Sequence, residues 1–351
     1  MPYPIEVHHR IRREERLDYV AVAHALAPCV DVVSIQHEYG IWGGPDGEAV
    51  IDFIRALPVP AVATLHTVLR DPTERQRAIL EELVARAVST VVMSRSAASV
   101  LQATYGADPA KVEIIPHGVP DLPLVDPSVA KEGLELAGRS TILSFGLLGP
   151  GKGYELALEA LPAVVAAHPD VLYVIVGATH PDEVRHAGEA YRTSLTDLVA
   201  RLKLRDHVRF VDRFVGRVEL MRWLQASDVF VTPYPNLDQI VSGTLSYAMG
   251  AGRAIVSTPY TYAVELLADG RGVLVPPASP SDLAAALDHL LSDREHREAI
   301  GRRAHEYSRR MIWSAVGREH ERVLDRAARG EGGIRPRGRH VAAVRTVAAS
   351  A

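Results

Sequence analysis

Short apolar runs recur along the chain at residues 30–36, 61–67, 90–94, 112–116, 141–146, 171–177, 208–211, 229–232, 254–258 and 273–275. Most are continuous rather than alternating, the pattern of parallel strands covered on both faces. Helical stretches such as 73–86 and 191–202 lie between them. That alternation restricts the chain to α/β architecture with doubly wound sheets. Ligands of such sheets sit in the loops that follow the carboxyl ends of the strands.

A composition break divides the chain. After Pro116 comes HGVPDLPLVDPSVAKEGLELAGRS, with Pro120, Pro123 and Pro127 close together. This is linker composition. It predicts a first domain over 1–124 and a second over 139–312. A length of 351 residues suits two domains at about 150 residues each. Two such domains on one linker imply a cleft between them, where small-molecule sites are common. Ser279-Pro280-Ser281-Asp282 and Ser292-Asp293-Arg294-Glu295 read as capping boxes. A last helix is expected over 313–329, and the Gly- and Arg-rich stretch 330–351 reads as a disordered tail. The first domain shows four clear strands and a fifth run at 5–8. A further strand and Gly-rich loop are expected upstream of Met1, so that nucleotide would bind normally while transfer to an acceptor is weak.

Bulk charge excludes some partners. The chain carries 39 Lys and Arg against 43 Asp and Glu, a net charge of −4. No general attraction to nucleic acid follows. The single cysteine, Cys29, permits no intrachain disulfide and no C-x-x-C metal pair. No apolar run approaches the roughly 18 residues of a membrane span. The start, MPYPIEVHHRIRREE, lacks the apolar core of a signal peptide. A cytoplasmic protein is expected, with peripheral membrane contact at most.

The stretch from Tyr234 to Pro259, YPNLDQIVSGTLSYAMGAGRAIVSTP, holds the first anion candidate. Ser242, Gly243, Thr244 and Leu245 open a short helix after an apolar run. The free N–H groups of a first helical turn and the helix dipole favour an anion there. The second candidate is SFGLLGPGKGYE, Ser144 to Glu155, with Gly149, Gly151 and Lys152. It nearly matches a P-loop, but Gly153 replaces the hydroxyl residue that would hold magnesium. Lys152 remains as a cation suited to a diphosphate without a metal. Gly177 opens the loop GATHPDE, and Phe214 with Val215 offers an apolar slot for a nucleobase. In the first domain His37 and Glu38 end one strand and His66 ends the next, and Gly43 and Gly44 open a helix. His37 and Glu38 are adjacent and face opposite sides of a strand, so no metal site is expected.

The series GLLGPGKG, VIVG, VRFVDRFV, ASDVFVTPY and SYAMGAGRAIVSTPYTYAVELLADGRGVLVPP resembles the C-terminal domain of retaining glycosyltransferases with the GT-B fold, the large group 1 or family 4 type. The similarity covers about 141–313. Weaker motifs, TLHT, VVMSRSA and IIPHGV, extend it to about Gln36. The resemblance implies two Rossmann-like doubly wound domains facing a cleft. It implies retaining transfer of a sugar from a nucleoside-diphosphate sugar to an acceptor sugar, glycan or other small molecule, with the nucleotide sugar as co-substrate and no separate cofactor. By motif, Lys152 and the Ser242–Leu245 turn bind the donor diphosphate, and His66 lies near the sugar. Gly149, Gly151, Gly177, Phe214 and Val215 belong to the donor side, and His37, Glu38, Gly43 and Gly44 to the acceptor side. The family's Glu-x7-Glu pair falls at Gln239, towards the sugar, and Tyr247, towards the ribose. Leu147 stands where the family usually has an arginine. His66, Lys152 and Gln239 form the expected catalytic set. Two other classes fit the same scaffold: a catalytically weakened nucleotide-sugar-binding protein, and a sugar phosphorylase or nucleotide-sugar epimerase. Oligomeric state stays open.

Overall fold

The computed structural model describes residues 7–330 and the backbone of 346–350. The chain forms two compact units, one of residues up to Pro116 together with those from Ser314 onward, the other His117–Trp313. In chain order the strands are β1 (Val7–Arg12), β2 (Val33–His37), β3 (Ala61–Leu65), β4 (Ser89–Val92), β5 (Val112–Ile114), β6 (Thr141–Phe145), β7 (Leu172–Val176), β8 (Val208–Val211), β9 (Val229–Thr232), β10 (Ala254–Ser257), β11 (Val273–Leu274) and β12 (Thr346–Ser350). The apolar runs from 30 onward all appear as strands, with bounds that match or shift by at most three residues.

In the first unit β2, β3, β4 and β5 form a parallel sheet in that order. Every residue of β3 and β4 is buried. The helix Trp313–Ala328 packs Val316, Val323 and Ala327 against Val62, Val88, Val91 and Ile115. Two expectations change here. The run placed at 5–8 is β1, which lies outside the four-stranded sheet. It pairs in parallel with β12, Arg10 opposite Ala348. Thr346–Ser350 falls inside the stretch expected to be a disordered tail. Its sequence, TVAAS, lacks the Gly and Arg that set that stretch's composition, and it satisfies backbone groups along β1. Residues 331–345 of that stretch lie outside the described residues, as do residues 1–6.

The second unit holds a six-stranded parallel sheet ordered β11-β10-β9-β6-β7-β8. Both faces are covered, which explains the continuous apolar runs. Along β9, Phe230 enters one core layer with Leu143, Val174 and Tyr262, while Val229 and Val231 enter the other with Ile142, Tyr173 and Ile175. Strand order reverses at β6, which has β7 on one side and β9 on the other. At such a reversal the following loops diverge and leave a crevice. Ser279 caps the helix Pro280–Ser292 as expected. The next helix, Arg294–Ser308, is capped by Asp293, whose Oδ1 accepts the His296 amide at 2.8 Å, and not by Ser292, which still belongs to the preceding helix. No helix among the described residues is long and apolar enough to cross a membrane.

Candidate functional site

The loops after β6 and β9 of the second unit flank the reversal of strand order. Gly146 and Gly177 bring the loops after β6 and β7 into backbone contact. The Gly146 amide donates to Val176 O at 3.0 Å, and a Cβ on Gly177 would sit 2.0 Å from Gly146 O. Both glycines have positive φ, +140° and +147°. Buried Arg192 braces the second loop from below. Its guanidinium donates to Gly177 O at 2.8 Å and pairs with Asp212 at 2.7 Å.

The two anion candidates of the sequence meet here. Pro150–Lys152 forms one 3-10 turn after Gly149, whose carbonyl accepts the Lys152 amide at 3.0 Å. Gly153 follows at φ +66°, and a Cβ there would lie 2.1 Å from Pro233 O, in the loop after β9. That contact explains why no Ser or Thr stands after the lysine. Lys152 Nζ sits 4.6 Å from the centre of the Tyr234 ring. The Tyr234 hydroxyl is 2.8 Å from Thr244 Oγ1, and Thr244 Oγ1 is 3.1 Å from Ser242 Oγ. Ser242 caps the helix Gly243–Gly250, its Oγ accepting the Leu245 amide at 3.3 Å. A chain of contacts therefore links the cation of one loop to the helix N-terminus of the other. Both supply positive potential to one place.

Other expected donor residues are spread around this centre. Leu245 is fully buried and serves the core. Gly151 is exposed, with nothing within 4 Å of a Cβ placed there. Tyr247 packs its ring 6.3 Å from Phe145 and 6.0 Å from His117. The His117 ring also explains Gly243, since a Cβ on Gly243 would come within 3.0 Å of His117 Nε2. His117 Nδ1 donates to Gly118 O at 2.8 Å, which fixes the ring. The Gln239 side-chain amide donates to Val241 O at 2.8 Å, and its backbone carbonyl accepts the Tyr262 amide. Phe214 and Val215 part company: Phe214 is 81% exposed, whereas Val215 is buried in the core.

In the first unit, residues at the carboxyl ends of β2 and β3 form a separate cluster. His66 Nε2 lies 2.8 Å from Gln36 Oε1. Glu38 accepts the Thr67 hydroxyl at 2.6 Å and the Tyr39 amide at 2.9 Å. His37 points the other way and is fully buried, with no hydrogen-bond partner on either ring nitrogen. Burial, with a smaller effect of His66, depresses its pKa to about 4. His66 is shifted in the same direction, again by burial. Gly43 is held by packing: its amide donates to Tyr19 Oη at 2.9 Å, and a Cβ would strike Arg13 O. Gly44, at φ +75°, turns the chain before the 3-10 turn Pro45–Gly47.

Sequence reasoning passed over Tyr234 and His117 as site residues. Tyr234 begins the YPNLDQ turn and His117 lies in IIPHGV, so both stood inside motifs already singled out. Their roles come from ring contacts across the fold, which no local spacing encodes. No group of three or more metal-ligating side chains occurs among the described residues.

Comparison with known proteins places this geometry in a family. The family described as glycosyl transferases group 1 matches residues 129–307, and that described as glycosyltransferase family 4 matches 4–121. The chain belongs to the group 1 glycosyl transferases. It is 30% identical to a D-inositol 3-phosphate glycosyltransferase of Catenulispora acidiphila over 74% of this chain and 63% of that protein. It is also 30% identical to the phosphatidyl-myo-inositol mannosyltransferase of Mycolicibacterium smegmatis, over 78% of this chain and 66% of that one. The chain thus spans just under two thirds of the length of these relatives. Its fold matches that of the Anabaena protein HepE in complex with UDP, with a TM-score of 0.72 at 19% identity, covering 88% of this chain and 82% of HepE. The fold is GT-B, built of two parallel-sheet α/β units.

Proposed function

We propose that this chain transfers a sugar from a nucleoside-diphosphate sugar to a hydroxyl-bearing acceptor, with retention at the anomeric carbon. One observation carries the reading: Lys152 and the Ser242-capped helix N-terminus converge, through Tyr234 and Thr244, at the strand-order reversal of the second unit. Breaking a glycosidic bond to a diphosphate leaves negative charge on the departing oxygens. A fixed ammonium and aligned backbone N–H groups stabilise that charge without reorganising. The UDP named for the Anabaena neighbour fits a uridine or related diphosphate donor. Inositol-based acceptors in the relatives' names suit a polyol or glycan as the group that receives the sugar.

In this reading Gln239 faces the donor sugar and Tyr247 the ribose, each offering hydrogen bonds in place of a carboxylate. His66 keeps the role near a sugar that its motif implies, with Gln36 Oε1 2.8 Å from its Nε2. In this reading the cationic role falls to Lys152, and Gly153 offers no hydroxyl beside it for a metal.

Calorimetric titration with UDP-, GDP- and ADP-sugars, followed by assay of nucleoside diphosphate release with inositol and oligosaccharide acceptors, tests the proposal. Binding of one donor class and acceptor-dependent release are expected. Failure of every donor to bind would remove the reading. A second reading, a nucleotide-sugar-binding protein with little turnover, draws support from Leu147 and from the engagement of the Gln239 amide by Val241 O. It predicts donor binding without release.

A further inference from the structure

The second unit contains a cavity of about 360 Å³ at the opposite end of its sheet from Lys152. Asp228 immediately precedes β9, Ala254 opens β10, and Asp228 Oδ2 accepts the amide of Thr141, the first residue of β6. The cavity therefore lies at the amino ends of these strands. The four residues of β10 alone separate it from the donor crevice by roughly 13 Å.

Its walls carry more cations than anions. Lys131, Arg253, Arg294, Arg297 and Arg302 face it against Asp126, Asp228 and Glu298. Arg253 is 3% exposed and fixed by the carbonyls of Ala251, Gln225, Ser227 and Val125. Its charge is retained although burial lowers its pKa to about 10, with Arg297 adding to the shift. The guanidinium groups of Arg253 and Arg297 line the same cavity. Buried Lys131 is neutralised by Asp228 at 2.6 Å. Arg294 is engaged by Asp126 at 2.7 Å and Glu298 at 2.6 Å. Arg297 and Arg302 are less committed. Arg297 uses Nη1 on the carbonyls of Leu290 and Leu291, and Arg302 reaches Glu298 only at 3.7 Å. Positions 294, 297, 298, 301 and 302 share one face of the helix Arg294–Ser308. Gly301 lets that face close on the turn before β10, since a Cβ there would lie 2.3 Å from Gly252 O.

We infer that this cavity is a second anion site, distinct from the donor crevice, and that it takes a small phosphorylated compound through Arg297 and Arg302 over the fixed charge of Arg253. The planar forks of arginine suit phosphate oxygens in paired hydrogen bonds, and the volume suits a compact ligand. The cavity is walled on one side by Leu124, Val125 and Asp126, in the segment that follows β5 out of the first unit.

Inorganic phosphate titrated calorimetrically into the full chain in a low-salt buffer is the test. Phosphate binding is expected to persist in the Lys152→Ala variant, in which the donor-side cation is removed. Arg302→Gln, at an exposed position with a long contact of 3.7 Å to Glu298, is expected to weaken binding about tenfold. Glu298→Gln removes a competing carboxylate and is expected to tighten binding severalfold, a change that loss of structure cannot mimic. Citrate in place of phosphate separates oxyanion classes: weaker binding supports a phosphate site, and binding as tight as phosphate would overturn that class. Loss of phosphate binding in Lys152→Ala, or equal binding in all three variants, would overturn the inference.

Discussion

Lys152 holds its ammonium 4.6 Å above the centre of the Tyr234 ring, the same tyrosine whose hydroxyl reaches Thr244 at the start of the helix Gly243–Gly250. A cation placed over an aromatic face is attracted by about 0.5–2 kcal/mol. That attraction holds a flexible side chain where the helix dipole also acts. Replacing Lys152 with Ala is expected to lower nucleoside-diphosphate affinity roughly ten- to a hundredfold, the loss of one charge-assisted contact. Thermal stability should barely change. Calorimetry on Lys152→Ala checks this, and unchanged affinity would place the diphosphate elsewhere.

Glycines 151 and 153 should respond in opposite ways. Gly153→Ala puts a Cβ against Pro233 O at φ +66°, so destabilisation of about 2 kcal/mol or more is expected. Gly151→Ala meets no neighbour and should leave stability intact. Denaturant melts of the two variants separate them. A loss of nucleotide affinity in Gly151→Ala alone then reports how closely the ligand approaches that backbone.

His37 makes the first unit acid-sensitive. Its folded pKa of about 4 lies below the unfolded value near 6.5, so between those values the unfolded chain binds the extra proton. Stability from this group is complete above pH 6.5 and falls as pH drops towards 4, by about 3 kcal/mol in all. Urea midpoints measured between pH 7 and pH 4 should fall less steeply for His37→Leu than for the unaltered chain. Parallel slopes would show that the buried ring does not titrate this way.

Donor binding and transfer are expected to survive chelation. The position that would carry a magnesium-binding hydroxyl is Gly153, and the described residues hold no triad of metal-ligating side chains. Rates measured in excess EDTA should equal those with added Mg²⁺ or Mn²⁺. Activity lost to EDTA and restored by either ion would contradict this.

The strands were legible because each is short, continuous and apolar. β8 and β9 occupy the residues that the apolar runs marked, 208–211 and 229–232. The capping serine at 242 was legible for the same reason, since its chemistry is local. Ser292 was misassigned because two capping candidates adjoin, and only the path of the preceding helix decides that Asp293 takes the role. The pairing of β1 with β12 was out of reach, because it joins segments more than 300 residues apart and depends on which backbone edge needs a partner. Phe214 and Val215 looked alike as apolar neighbours, yet one is exposed and the other belongs to the core.

By itself the sequence determined the α/β class and the loops that carry Lys152 and Ser242. These follow from local periodicity, turn chemistry and caps, which act over a few residues. Tertiary structure alone decided that strand order reverses at β6, which sets the loops after β6 and β9 on the two sides of one crevice. It also decided that Tyr234 joins Lys152 to Thr244, that Gly153 rests on Pro233, and that Arg253 and Arg297 line a second cavity. The physical reason is that such contacts arise between segments distant in the chain, held at fixed separation by a sheet buried on both faces.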